Sequence, residues 1–162
     1  MNKGEFYALL EQRGIPHESY EHPAVFTMEE LAGCNIPHTE RIVKNLFLRD
    51  DKKRNYYLVT VAGEHTVNLA QLSQRIPSRK LSFASEEKLW ELLALKKGHV
   101  TPVGILNNGE KNVTLVLDQK LVGQTIGIHP MENTATVFLA FEELLKLVEE
   151  HGNTTVICRL DG

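Results

Sequence analysis

The sequence predicts an α+β fold in a single domain over residues 1–162: a mixed, mainly antiparallel sheet with helices packed around it. Three observations lead there. The chain has 162 residues, 42% hydrophobic and 24% charged, a length that can bury a core without disulfides or structural metals. Stretches with helical spacing alternate irregularly with β-branched and aromatic runs, the pattern of helices layered on hairpins rather than of repeated βαβ units. No repeat, low-complexity tract or Pro/Gly/Ser linker divides the chain.

The elements follow in order. Phe6, Leu9, Leu10 and Arg13 recur at helical spacing up to Gly14, which can take the left-handed cap conformation. Thr27 and Glu30 form a capping-box pattern, so a short helix should begin there and end near Gly33. Residues 41–49 and 56–62 are β-branched, aromatic or leucine-rich, and the charged segment 50–55 between them reads as a hairpin loop. Leu69, Leu72 and Ile76 predict a helix capped by Asn68 and stopped by Pro77. The next helix starts after Ser85. Glu86 and Glu87 lie at the positive end of its dipole, Lys96 and Lys97 at the negative end, and Gly98 terminates it. Strands are expected at 103–106, 113–117, 125–128 and 136–139, with residues 107–109 as a turn. An amphipathic helix over 141–151 and a strand over 154–159 close the chain.

Charge and cysteine usage bound the function. The formal net charge is -3, which by itself speaks against a phosphate-rich partner, but the charge is segregated. Residues 1–40 carry 2 basic and 7 acidic side chains, residues 41–97 carry 12 and 6, and residues 98–162 carry 4 and 8. A +6 segment therefore lies between acidic flanks, either as a solvated face or as a nucleic-acid contact. Cys34 and Cys158 have no paired spacing, which fits a reducing compartment, and the N-terminal residues offer no apolar stretch for a signal peptide or membrane span. A cytoplasmic protein with no membrane partner is expected.

Three places can carry chemistry. Lys44 falls in the apolar register of its strand, with Ile42, Leu46 and Leu48. A lysine there either borders a polar pocket or lays its stem over apolar surface and sends its head to solvent. Residues 98–102, Gly-His-Val-Thr-Pro, form a constrained loop. Its N–H groups can converge on an oxyanion, unless it merely connects a helix to a strand. His129 precedes Pro130, so its backbone is held extended at a strand end. It is either a binding group or a structural hydrogen-bonder. Glu29 and Glu30 point apart on a helix and make a poor acid–base pair, and Cys34 reads as a structural thiol. No HExxH, CxxC, Walker or Rossmann pattern occurs, so neither a metal nor a cofactor is expected.

Four segments appear together in a known order: residues 22–27 (HPAVFT), 44–50 (KNLFLRD), 98–102 (GHVTP), and 129–130 with 133–136 (HP and NTAT). In this the chain resembles the YbaK/prolyl-tRNA-editing family, and in particular its freestanding branch similar to the insertion domain of bacterial prolyl-tRNA synthetase. The resemblance spans nearly the whole chain. It implies that family's fold and a hydrolase that deacylates alanyl-tRNA(Pro), with cysteinyl- or seryl-tRNA and a non-catalytic tRNA- or synthetase-binding module as alternatives. It implies that Lys44, Gly98 and His129 are catalytic and that Asn45, Thr101, Pro102, Ile128 and Thr27 bind substrate, with Ile128 lining the amino-acid pocket. The partners implied are mischarged tRNA(Pro) and prolyl-tRNA synthetase. The resemblance further implies that water is the nucleophile, assisted by a hydroxyl of the terminal ribose, so that the sequence need not contain a dedicated base.

Overall fold

The computed structural model describes residues 1–63 and 66–160, apart from the side chain of Met28. The first helix, α1 (Lys3–Gln12), opens on a reciprocal cap: the Asn2 side chain accepts from the Glu5 N–H and the Glu5 carboxylate from the Asn2 N–H. It buries Phe6 and Leu10. The chain continues through β1 (His17–Glu21), α2 (Met28–Ala32), and a 3-10 turn at Thr39–Arg41. The hairpin follows as β2 (Lys44–Asp50) and β3 (Tyr56–Val61), then α3 (Leu69–Arg75), β4 (Leu81–Phe83) and α4 (Glu86–Leu93). The remaining elements are a 3-10 helix (Pro102–Asn107), β5 (Val113–Asp118), a 3-10 turn (Gln119–Leu121), β6 (Thr125–Ile128), β7 (Ala135–Ala140), α5 (Phe141–His151) and β8 (Thr155–Cys158).

The strands form two sheets rather than the single sheet expected. One has order β1-β7-β6 and the other β4-β2-β3-β5-β8. Pairing is antiparallel except for β3 with β5 and β5 with β8, which is the mixed, mainly antiparallel character that the sequence predicted. Leu58, Leu115 and Leu117 face a core that also takes Ile126 and Val137 of the smaller sheet and Phe141 and Leu144 of α5. Their neighbours Val59 and Val116 face the other way, onto Leu72 of α3 and Leu81. Both faces of β3 and β5 are covered, hence their nearly continuous apolar sequences. Each fully buried leucine contributes roughly 2–3 kcal/mol of transfer free energy. Among the described residues no helix is long and apolar enough to cross a membrane.

Two local expectations need correction, and two strands were not foreseen. Residues 103–106 are not a strand: Pro102 has no N–H to give a sheet and its fixed φ suits a first helical position, so a 3-10 helix forms. The run is buried, and a short buried apolar run reads alike in either state. The helix after Ser85 ends at Ala94, φ +53, well before Lys96 and Lys97. Stopping there turns Leu95 into the core, where it is only 2% exposed; a continuing helix would carry it away from the face of Leu89 and Leu93. Neither β1 nor β4 was foreseen: each is a short edge with one neighbour, β7 and β2 respectively.

A close approach joins the sheets. Ile42 bridges to Gly127 of β6, and the Val43 N–H donates to the Gly127 carbonyl at 3.0 Å. A Cβ on Gly127 would lie 2.8 Å from the Phe138 ring and 2.9 Å from Ile42 Cγ1. Only glycine leaves room for this seam.

Candidate functional site

The seam places the end of β6 beside the start of β2, so Lys44 and His129 border one cavity of about 480 Å³. Gly98, Asn45 and Thr27 border it too. Five of the eight residues expected at the site thus converge, although they come from four separated segments. Lys44 keeps the face of Leu46 and Leu48, as its register predicted. It is nevertheless exposed, because the apolar cover over that face ends with Leu46 and the cavity opens beside the lysine.

Asn45 is held at both ends of its amide. Its Oδ1 accepts from the Thr60 hydroxyl at 2.7 Å, and its Nδ2 donates to the Val100 carbonyl at 3.4 Å. Residues 45 and 60 are cross-strand partners in the hairpin, so β3 orients the asparagine and the asparagine orients the glycine loop. Thr60 is fully buried and was missed by the sequence reading. A usable signal existed, since the hairpin register sets one polar residue of an apolar strand opposite another.

Within the loop, Gly98 has φ +84, and a Cβ there would meet the Phe26 ring at 2.5 Å. Glycine is required twice over, for the left-handed backbone and for the aromatic lying on it. The His99 N–H is taken by the Lys96 carbonyl. Among the described residues the N–H groups of Gly98 and Val100 have no intramolecular acceptor, and both residues border the cavity. Thr101 and Pro102 do not. Thr101 is fully buried and its hydroxyl donates to the His129 carbonyl at 2.6 Å, which ties the loop to the end of β6. Pro102 is buried at the start of the 3-10 helix.

His129 is mostly buried. Its Nδ1 lies 3.1 Å from the Ala135 carbonyl, an acceptor only, so Nδ1 carries the proton and Nε2 is the free lone pair of the neutral ring. Burial pulls its pKa below the usual 6.5, against the Ala135 hydrogen bond, and the neighbouring His22 and His99 add to the lowering. His22 stands with its ring centroid 6.4 Å away. Its Nε2 meets the Thr136 hydroxyl at 2.9 Å and its Nδ1 the Pro23 carbonyl at 2.9 Å. The Asn133 side chain donates to the Val25 carbonyl at 2.7 Å, and the His22 N–H to the Thr134 carbonyl. Residues 22–27 are therefore laced to residues 133–136, two motifs more than a hundred positions apart.

The apolar wall differs from the one expected. Ile128 is 1% exposed and packs between the sheets; Val25, Leu31, Ile42 and Val43 line the cavity instead. Ile128 alternates with Gly127 and His129 along an extended strand, so its side chain points to the opposite face. Thr27 caps α2 by accepting from the Glu30 N–H at 3.0 Å, while the Glu30 carboxylate meets the threonine hydroxyl instead of completing the expected box. The Cys34 thiol is half-buried and donates to the Glu30 carbonyl.

Known proteins share this framework. The sequence profile of the aminoacyl-tRNA editing domain matches residues 22–147. The prolyl-tRNA editing protein ProX of Acetoanaerobium sticklandii is 44% identical over 148 residues, 91% of this chain and 90% of its own. Prolyl-tRNA synthetase associated domain-containing protein 1 of Danio rerio is 38% identical over 164 residues, 97% of this chain and 86% of its own. A solved structure described as a candidate trans-editing enzyme for prolyl tRNA synthetase superposes with a TM-score of 0.71 at 23% identity, covering 100% of this chain and 98% of that one, a likeness of fold. With the profile running from the first motif through the last, the chain belongs to the aminoacyl-tRNA editing domain family, the YbaK/prolyl-tRNA-editing proteins that its four motifs resemble.

Proposed function

We infer that the protein is a deacylase that hydrolyses the ester of alanyl-tRNA(Pro), acting in trans to prolyl-tRNA synthetase. One observation carries the reading: four separated motifs meet on a single cavity with an apolar end, a lysine and two backbone donors that have no partner among the described residues. The relatives named for prolyl-tRNA editing support the same reaction class.

The chemistry follows from the wall. The terminal adenosine and its ester enter beside Lys44, whose ammonium draws the negatively charged end of the tRNA and stabilises charge developing at the ester. The N–H groups of Gly98 and Val100 donate to the carbonyl oxygen as water adds and it becomes an oxyanion. The C–O bond to the ribose then breaks, releasing alanine and the ribose hydroxyl. Among the described residues that border the cavity, His129 is the imidazole, and burial weakens it as a base. The free hydroxyl of the terminal ribose orients the water and relays its proton, taking it up while passing its own to the departing ester oxygen, and neutral His129 accepts a hydrogen bond from the bound end through Nε2.

Selectivity fits a second sieve. A synthetase pocket built for proline cannot strongly reject a smaller side chain, because each missing methylene changes binding by only about 1–3 kcal/mol. The sieve is assigned to the wall of Val25, Leu31, Ile42 and Val43, which gives a small side chain apolar contact. The test is deacylation of alanyl-, cysteinyl-, seryl- and prolyl-tRNA(Pro) by the purified chain. Rapid loss of the alanyl ester with prolyl-tRNA spared is expected; no loss from any substrate overturns the enzyme reading. Lys44→Ala, an exposed substitution that should leave folding intact, is expected to lower kcat/KM by about a hundred-fold, a loss in the range of a transition-state contact.

A further inference from the structure

Among the described residues three aromatic side chains are widely exposed: Phe26 at 65%, Phe83 at 62% and Trp90 at 59%. They belong to separate parts of the fold, the segment before α2, the end of β4 and the middle of α4. Singly, an exposed aromatic means little. These three follow one path. Phe26 stands at the mouth of the cavity, against Gly98. A second depression of about 320 Å³ shares Asn45, Gly98 and Val100 with the cavity and is lined by Phe83 and Lys97. A third, of about 270 Å³, shares Glu86 and Lys97 with the second and is lined by Trp90 and Lys96. The surface thus leads outward from Lys44 with aromatic rings and ammonium groups in turn.

Rings spaced along a cationic groove suit an unpaired nucleic-acid strand, because every base offers a π face and every nucleotide a phosphate. The carboxylate on the path, Glu86, faces Lys97 at 3.7 Å, an exposed pair that a phosphate can replace at small cost. Glu91, near Trp90, is taken by Lys88 at 3.0 Å. A folded protein partner would instead want a contiguous apolar patch, and the lysines interrupt this one.

We propose that the path is a track for the unpaired 3′ end of a tRNA, with Phe26, Phe83 and Trp90 stacking successive bases and Lys96 and Lys97 facing the phosphates between them. It rests on the deacylase reading for the reason an acylated end reaches the cavity, but its test does not require hydrolysis. Trp90 is the chain's one tryptophan, so its fluorescence reports occupancy directly. The full chain is titrated with an uncharged RNA hairpin ending in unpaired CCA and with the same hairpin cut flush.

Saturable quenching by the overhanging hairpin alone is expected. Phe83→Ala and Trp90→Ala, followed by anisotropy of labelled RNA, should each weaken its binding about ten-fold, and Trp90→Phe should recover most of the loss. Quenching by the flush hairpin as strong as by the overhang, or variants that bind the overhang as the parent does, overturns the track. So does an emission change on adding prolyl-tRNA synthetase with none on adding RNA, which would make the surface a protein dock. A chain that binds the overhang through these rings yet deacylates no tRNA keeps the track and loses the deacylase. One that deacylates alanyl-tRNA(Pro) with Phe83 and Trp90 dispensable for binding does the reverse.

Discussion

At the scale of single residues, the site depends on groups that never touch the cavity. Thr60 is fully buried and holds Asn45 with a 2.7 Å hydrogen bond, and Asn45 in turn holds the Val100 carbonyl. Thr60→Val keeps shape and removes the donor, leaving a partly buried amide oxygen unsatisfied. A stability loss of about 1–2 kcal/mol is expected, with kcat for ester hydrolysis falling more than KM rises; an unchanged kcat would show that loop orientation does not pass through Asn45. His129 makes a pH prediction. Its folded pKa lies below 6.5 because burial disfavours the charged ring, so between 6.5 and that lower value the unfolded chain binds more protons than the folded one. Stability therefore falls as pH drops through this window. Thermal unfolding from pH 7.5 to 5 should show a shallower decline for His129→Gln than for the parent. Parallel curves would mean that the imidazole does not become charged on unfolding there.

At the scale of elements, the weight falls on how segments meet. Gly127 is the point where β6 reaches residues 42 and 43, and the space for a methyl group there is already filled by Phe138 and Ile42. Gly127→Ala should cost about 1–3 kcal/mol by overpacking, read as a lowered denaturant midpoint, with deacylation reduced even under conditions where the variant is folded. Full activity in the folded variant would count against the seam as the device that aligns the two strands. Most elements were legible before any coordinates, because caps, turn residues and periodicity are local: the hairpin, β6 and α5 fall where the pattern put them. What stayed hidden was non-local. Nothing within residues 17–21 announces an edge strand, since its partner lies past residue 134, and residues 103–106 look like a strand until Pro102 is seen starting a helical turn. At the site, Lys44, Gly98 and His129 stood out because each breaks a local rule. Thr60 and Phe26 break none, and only the fold shows what they hold.

At the scale of the molecule, the segregated charge is thinned by pairing within the basic segment. Arg79 meets Asp51 at 2.5 Å, and Lys88 and Lys97 meet Glu91 and Glu86. Lys44 at the cavity and Lys96 beyond it carry no such partner among the described residues. Among the described residues, the only lysines and arginines that border the cavity and the two depressions leading from it are Lys44, Lys96 and Lys97. Few phosphates are therefore neutralised on binding, and the logarithm of tRNA affinity should fall with the logarithm of salt concentration with a slope of about -2 to -3. Affinity indifferent to salt would remove the basic segment from the interface. A shallow slope also matches the proposed deacylase, which would release its tRNA after one hydrolysed bond.

The seam at Gly127 has one more consequence. The cavity has one jaw on each sheet, Lys44 and Asn45 on the larger and His129 at the end of the smaller, and the two are pinned where Ile42 meets Gly127. The bore is set at this pivot, as the gap of a caliper is set away from its tips. The proposed choice of amino acid can then be retuned from behind, by the girth of the Phe138 side chain wedged at the pivot, which does not itself border the cavity.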